Sequence, residues 1–227
     1  LNEKFSKTFS PDAYFGFGFR DHTWKYGAGL DVKLSEKRTS IFRVDYSDDV
    51  FAAGRISTAL WDNPMKLKDL GVDLYNANFY QSKKFGASFL YDVSNSLTAK
   101  IGLNHENQNA LFDYQYQNLG NSFKNVSTTV SLKFSPNDKN MMTPGGKLTY
   151  EKKFPQFFLN YEMGSKIFDG ELNYHRLDAL AIHQFRSKLG TTTLKFLGGI
   201  SSGTAPIWKN FEITGQTDGS SEKWTSK

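Results

Sequence analysis

The chain has 227 residues, a net charge of +5 and no cysteine, which excludes a disulfide framework, a thiolate zinc site and a cysteine nucleophile. Mean hydropathy is −0.53, and no window approaches the run of about 20 apolar residues that a helical membrane span requires. Lysine and arginine are spread among 23 acidic residues, so the basic balance reads as solvated loops and a mixed-charge interior, and no nucleic-acid partner is expected.

The first two segments alternate apolar and polar residues. Ala13, Phe15, Phe17 and Phe19 share one parity, with Tyr14, Gly16, Gly18 and Arg20 between them. After Asp21-His22 the apolar parity becomes even: Trp24, Tyr26, Ala28, Leu30, Val32 and Leu34 oppose Lys25, Gly27, Gly29, Asp31, Lys33 and Ser35. Side chains on a strand point to opposite faces in turn, so each segment has an oily face and a wet face. Ser35-Glu36-Lys37-Arg38 then turns the chain into Phe42, Val44 and Tyr46, set against Arg43, Asp45 and Ser47.

A long connection is expected from Asp48 to about Phe85. Within it, Pro64 to Leu74 is the best helix candidate, with Leu67, Leu70 and Leu74 at i, i+3 and i+7. Alternation returns at Ala87, Phe89, Tyr91 and Val93. Ser94-Asn95-Ser96 makes a tight turn, and Leu97, Ala99, Ile101 and Leu103 follow. Val126, Val130, Leu132 and Phe134 form the next apolar row. Ser135-Pro136-Asn137-Asp138 opens a longer connection, completed by Met141-Met142-Thr143-Pro144-Gly145-Gly146. Phe157, Leu159, Tyr161 and Met163 alternate cleanly. Leu172 to Phe185 is strand-like but apolar on both faces from Ala179 to Ile182, and Leu194, Phe196 and Ile200 make the last row.

About ten strands with one connectivity throughout, and no linker, predict an all-β chain with residues 1–227 as a single domain. Segments of about ten alternating residues with turns between them are the sequence signature of an antiparallel transmembrane β-barrel. On that reading the wet face, carrying Lys25, Asp31, Lys33, Arg43, Asp45, Lys100, Lys133 and Glu162, lines a lumen. The same pattern also describes a soluble β-sandwich that binds carbohydrate or protein, with the Phe rows in a core. Trp24, Tyr46, Tyr91 and Tyr161 near strand ends, and the long loops, favour the barrel. The chain opens at Leu1 without a signal peptide and closes on Glu222-Lys223-Trp224-Thr225-Ser226-Lys227. It reads as part of a longer protein and of a larger barrel.

The run Lys153-Phe154-Pro155-Gln156-Phe157-Phe158-Leu159-Asn160-Tyr161-Glu162-Met163-Gly164, then Gly170 to Leu177, His183-Gln184-Phe185, Leu189-Gly190 and Gly198 to Pro206, carries a more specific likeness, as does Lys25-Tyr26-Gly27. It resembles the C-terminal barrel of an uncharacterised Bacteroidota outer-membrane family whose members bear an N-terminal carboxypeptidase-regulatory-like β-domain. More distantly, the Gly-rich strand leading to Pro206 and Phe211 is similar to the approach to the lumen loop of BamA/TamA-like assembly-factor barrels. The Arg-Gly-Phe of that loop is absent, and Phe211-Glu212-Ile213-Thr214-Gly215-Gln216 stands in its place. The resemblance assigns no functional residue.

Candidate chemistry is sparse. His22, His105, His175 and His183 form no His-x-x-x-His or His-Glu-x-x-His pair, so zinc has no local support. His175 and His183 share a face only if one strand runs unbroken between them, and are expected as polar lumen positions. Asp45, Asp48 and Asp49 cluster at an expected strand end, where outer-membrane proteases place carboxylates. A solvated tip or a lipopolysaccharide contact is the plainer reading. Gly16-Phe17-Gly18 and Gly27-Ala28-Gly29 lie inside strands without a following helix, so they hold no phosphate and instead make room for bulky neighbours.

The sequence thus leads one to expect a non-enzymatic barrel of the bacterial outer membrane with a transport, assembly or scaffold role. No catalytic residue, cofactor or metal is assigned. The expected partners are membrane lipid and lipopolysaccharide, with other outer-membrane or periplasmic proteins. The mixed-charge lumen should pair across itself and leave no wide pore.

Overall fold

The computed structural model describes residues 8–18, 23–35, 38–52, 79–116, 120–143, 146–188 and 190–210. They form an all-β fold with eleven strands: β1 (Phe9–Gly18), β2 (Thr23–Lys33), β3 (Ser40–Ala52), β4 (Phe79–Asp92), β5 (Leu97–Ala110), β6 (Ser122–Phe134), β7 (Lys139–Thr143), β8 (Gly146–Glu151), β9 (Gln156–Ser165), β10 (Asn173–Ser187) and β11 (Gly190–Thr204). Nine of them make one antiparallel sheet in the order β1-β2-β3-β4-β5-β6-β9-β10-β11, with β1 and β11 as its edges. Pro11 lies in edge strand β1, where a missing N–H is tolerated.

Between β6 and β9 the chain makes a separate hairpin, β7–β8. This corrects the expectation of a plain connection there. The pairing of Met141 with Leu148 and Met142 with Lys147 builds a two-stranded ladder that ends in a register shift at Lys139/Asn140. The hairpin reaches across one end of the sheet. The Asn140 amide donates to the Asn95 carbonyl at 2.8 Å, and the Lys147 ammonium lies 2.7 Å from Asp92. The Lys147 backbone N–H donates to the Thr39 hydroxyl at 2.9 Å.

That end, the turn end, also holds the connections β2–β3, β4–β5 and β10–β11. The opposite, loop end holds β3–β4, β5–β6 and β9–β10. β3 runs on to Ala52 and β4 starts at Phe79, so the long connection is shorter at both sides than Asp48 to Phe85 implies. The helix candidate Pro64 to Leu74, and Phe19 and His22, lie outside the described residues.

Residues directly opposite each other across an antiparallel pair put their side chains on the same face. Tracing the registers therefore sorts the sheet into two faces. One carries the rows Phe9–Phe17, Trp24–Val32, Phe42–Tyr46, Phe85–Tyr91, Leu97–Leu103, Val126–Phe134, Phe157–Met163, Leu177–Ala181 and Leu194–Ile200, each taken at every second residue. The other is mostly polar, with Leu90, Phe158, Leu180, Ile182 and Leu197 as apolar exceptions toward the turn end.

Burial runs against the usual rule. Phe15 is 73% exposed, Phe196 66% and Ile200 65%, whereas Gln108 and Asn125 are fully buried and Ser127, Asp178 and Glu162 nearly so. A single soluble sheet would bury its Phe rows and wet its Ser, Asn and Glu rows. No second sheet covers the apolar rows among the described residues: the one other sheet, β7–β8, lies at the turn end. The small apolar cluster of Ala110, Phe123, Leu172, Tyr174 and Trp208 sits instead on the polar side, near the loop end.

Candidate functional site

The site is assembled where the chain leaves β11 and folds back over the polar face. Gly203 has φ +97°, and a Cβ there would fall 2.5 Å from the Asn173 carbonyl oxygen, so glycine is needed for this close approach of β11 to β10. Pro206 follows in extended conformation, and Ile207–Lys209 make one 3₁₀ turn. Pro206, Trp208 and Lys209 are buried.

Trp208 fills an aromatic box. Its ring stacks on Tyr80 of β4 at 5.0 Å and meets Phe123 of β6 edge-on at 5.3 Å, with Tyr114 and Phe112 of the β5–β6 loop around it. The indole N–H donates to Oε1 of Gln108 at 2.7 Å, which satisfies a side chain that is otherwise shut away from water. The Ile207 N–H donates to the Tyr114 hydroxyl at 3.0 Å.

Lys209 completes the dock two strands further on. Its ammonium lies 2.6 Å from the Glu162 carboxylate of β9 and 5.4 Å from the centre of the Tyr174 ring. The Tyr174 hydroxyl donates to the same carboxylate and accepts from the Asn125 amide at 3.2 Å. Gly164 makes this possible, because a Cβ there would stand 2.2 Å from the Tyr174 ring. Burial by itself would lower the Lys209 pKa, but the Glu162 carboxylate, helped by Tyr174, holds it well above the usual lysine range. The pair is a fixed charge clamp at neutral pH.

The eight charged residues read as lumen-facing do share the polar face, as their registers place Lys25, Asp31, Lys33, Arg43, Asp45, Lys100, Lys133 and Glu162 on one side. Several of them pair with charges on neighbouring strands of the same face. The Arg43 guanidinium donates to Asp12 at 2.7 Å and to Asp31 at 3.0 Å, and lies 3.7 Å from Asp45, which also faces Lys84. Lys133 lies over the Phe158 ring. Arg43 and the Tyr14 ring pass over Gly29 and Gly27, as strand glycines were expected to allow; Gly16 has nothing against it.

Other expectations need correction. Asp45, Asp48 and Asp49 lie inside β3 rather than at its end, and they do not converge. Asp49 accepts from the Tyr14 hydroxyl on the polar side, while Asp48 is buried on the opposite side between Gln81 and Lys83. β10 does run unbroken from His175 to His183, but by register both fall on the apolar face, where they bracket Leu177, Ala179 and Ala181. Nδ1 of His175 shares a 2.8 Å hydrogen bond with the Tyr161 hydroxyl. Among the described residues no three ligating side chains gather into a metal site. Trp208, Lys209, Gln108 and Asp12 were not singled out from sequence; a buried-type Trp beside Pro206, directly after a Gly- and Ser-rich strand, was the available signal.

No curated protein and no solved structure matches the chain. Residues 2–200 match the C-terminal domain of a family of unknown function, DUF5686. Covering most of the chain, including all but the last strand residues of the sheet described above, this match makes the protein a member of the DUF5686 family through its C-terminal domain.

Proposed function

We infer that the chain is the membrane-spanning part of an outer-membrane β-barrel with a transport, assembly or scaffold role, working with other envelope components rather than as an enzyme. The observation that carries this is the shape of the apolar band. On β2 the outward apolar row runs from Trp24 to Val32; on β10, after register is followed across the sheet, the row opposite Val32 is already the top of the band, at Leu177. The upper limit drops by four outward positions between β2 and β11 and the lower limit, from Leu34 to Leu194, by two.

At ~3.4 Å per residue and ~4.8 Å per strand, that mean drop of ~20 Å over ~34 Å of sheet is a slope of about 30°. A band of constant height crosses strands at a slant only when the strands themselves are tilted within it, and membrane barrels tilt theirs by roughly 35–45°. Between the same limits the band spans ~34 Å along the chain from Trp24 to Leu34 and ~20 Å from Leu194 to Ile200, a mean of ~27 Å, or ~23 Å across the tilted band, which suits the roughly 25 Å apolar girdle of such barrels. A sandwich core has no reason to slant in this way.

The dock of Trp208 and Lys209 at the loop end and the β7–β8 hairpin at the turn end both cover the polar face, in keeping with a filled interior. A segment that leaves a Gly-rich strand and turns into that face is what likeness to assembly-factor barrels leads one to look for, and Pro206 to Lys209 do so without an Arg-Gly-Phe. A periplasmic β-domain preceding the sheet, as in the Bacteroidota family named above, would join at the turn end, where β1 begins.

The reading is tested by refolding the protein into lipid vesicles. Insertion should protect the strands from protease and require detergent for extraction. A monodisperse, folded protein in detergent-free buffer would overturn it. Large steady conductance in a planar bilayer would overturn the filled interior alone.

A further inference from the structure

The polar face is covered in two places. At the loop end the segment from Pro206 to Lys209 docks against Gln108, Phe123 and Glu162. At the turn end of β3–β5 the β7–β8 hairpin closes on Thr39, Asp92 and Thr98. The turn-end quarter on β9–β11 has no such cover among the described residues, and there the face turns apolar. Leu180 stands between Phe158 and Leu197 in one transverse row, with Ile182 next to it toward the turn end. Leu197 is 53% exposed.

The same quarter is cationic. Lys133 flanks the row on β6, its ammonium over the Phe158 ring. Lys195 stands opposite Ile182, and Arg186, two inward positions further toward the turn end, faces Thr191. Arg186 and Lys195, with Lys188 in the turn that follows, are exposed and have no carboxylate within ion-pair distance among the described residues. No acidic residue occurs between Asp178 and Glu212. The carboxylates of the adjoining elements are engaged: Asp178 beside Arg176, Asp138 with Gln156 and the Lys153 N–H, and Glu151 with Lys139 and Lys153.

We propose that this quarter of the polar face docks an acidic peptide segment of another protein, extended along β10–β11. Its apolar side chains lie on Leu180, Ile182 and Leu197, and its carboxylates meet Lys195 and Arg186. The spacing sets the class of partner. From Ile182, level with Lys195, to Arg186 is four residues, ~14 Å, and from Leu180 the patch runs ~20 Å. A single anionic headgroup meets one of these cations, whereas an extended acidic chain of about six residues meets both and still covers the apolar row. The proposal rests on the barrel reading for the direction of entry alone, which is from the turn end.

The test uses the protein in nanodiscs and a fluorescein-labelled peptide, Leu-Phe-Leu-Glu-Asp-Glu-Asp, with binding read by anisotropy. R186Q/K195Q should weaken binding roughly tenfold, and so should L197S, whereas Lys166→Gln, exposed at the loop end, should leave it unchanged. Thr193 lies on the polar face and Thr192 on the other. The chain has no cysteine, so T193C and T192C each supply a unique thiol for maleimide labelling. The peptide should protect T193C and leave T192C as it was. Absence of binding, full binding by R186Q/K195Q, or protection of T192C instead overturns the site. Protection of T193C by dodecanoate but not by the peptide also overturns it, in favour of an amphiphile. A protein that is monodisperse without detergent yet still protects T193C keeps the peptide site and sinks the membrane reading alone.

Discussion

Replacing Trp208 with Ala should release the segment after β11 from the polar face. The ring is 2% exposed, packed by Tyr80, Phe123 and Tyr114, and its N–H serves the buried Gln108. Truncating a packed Trp costs ~3–5 kcal/mol, and the stranded Gln108 oxygen adds to that. Some collapse of the aromatic box offsets part of the loss, so ~3 kcal/mol is a cautious figure for undocking, equivalent to about a hundredfold rise in the undocked population. The chain has no cysteine, so Ile207→Cys supplies a unique thiol whose maleimide labelling rate reports release. The rate in I207C/W208A should exceed that in I207C by roughly a hundredfold, while Trp24→Ala, on the outward row and 57% exposed, should leave it unchanged. Equal rates with and without Trp208 would refute the argument that this ring holds the segment.

Three further outcomes are expected. Lys209→Met leaves the Glu162 carboxylate buried without its ammonium and should cost about 3–5 kcal/mol in urea unfolding, much of it recovered in E162Q/K209M, where no lone charge remains; an additive double variant would contradict this. Because the folded Lys209 pKa is raised, its contribution persists at every pH below the unfolded value and fades only as pH rises through the folded one. Near-UV circular dichroism of the Trp208 cluster should accordingly hold from neutral pH to about 10, and its loss by about pH 9 would show that the clamp does not carry the dock. Gly164→Ala puts a Cβ against the hydrogen-bonded Tyr174 ring and should destabilise by roughly 1–3 kcal/mol in thermal unfolding, whereas Gly16→Ala, with open space around it, should be close to neutral; similar shifts for both would refute the close-approach account.

The strands whose outward and inward residues alternate cleanly could be read directly, because period two is imposed by the backbone itself. All eight charges assigned to the wet face followed from parity alone. Parity failed where it was absent. From Ala179 to Ile182 both faces are apolar, so residue type alone sends His175 and His183 to the lumen, whereas the register with β9 and β11 puts both on the apolar face. Met141-Met142 breaks the alternation of β7, and the shift at Lys139/Asn140 removes the rest of the signal, which is why a hairpin looked like a loop. The dock of Trp208 and Lys209 is six residues of irregular chain held by contacts up to 128 positions away in sequence, as from Trp208 to Tyr80. No local pattern encodes it. The slanted band lies between these cases: every residue of it is visible in sequence, but the slant exists only once strands are aligned.

The neighbouring strands alternate in direction, and the sheet has nine of them. β1 and β11 therefore both run from the turn end to the loop end. Laid edge to edge they would meet in parallel, against the pairing of every other neighbour. If the sheet is the wall of an all-antiparallel barrel, what completes it supplies an odd number of strands, the ones touching β1 and β11 both descending from the loop end to the turn end. A second copy set in the same sense offers two ascending edges and would meet both in parallel. On the barrel reading proposed above, the direction of two strands thus sets the parity of an all-antiparallel wall, ten or a larger even number, which two like subunits side by side do not close.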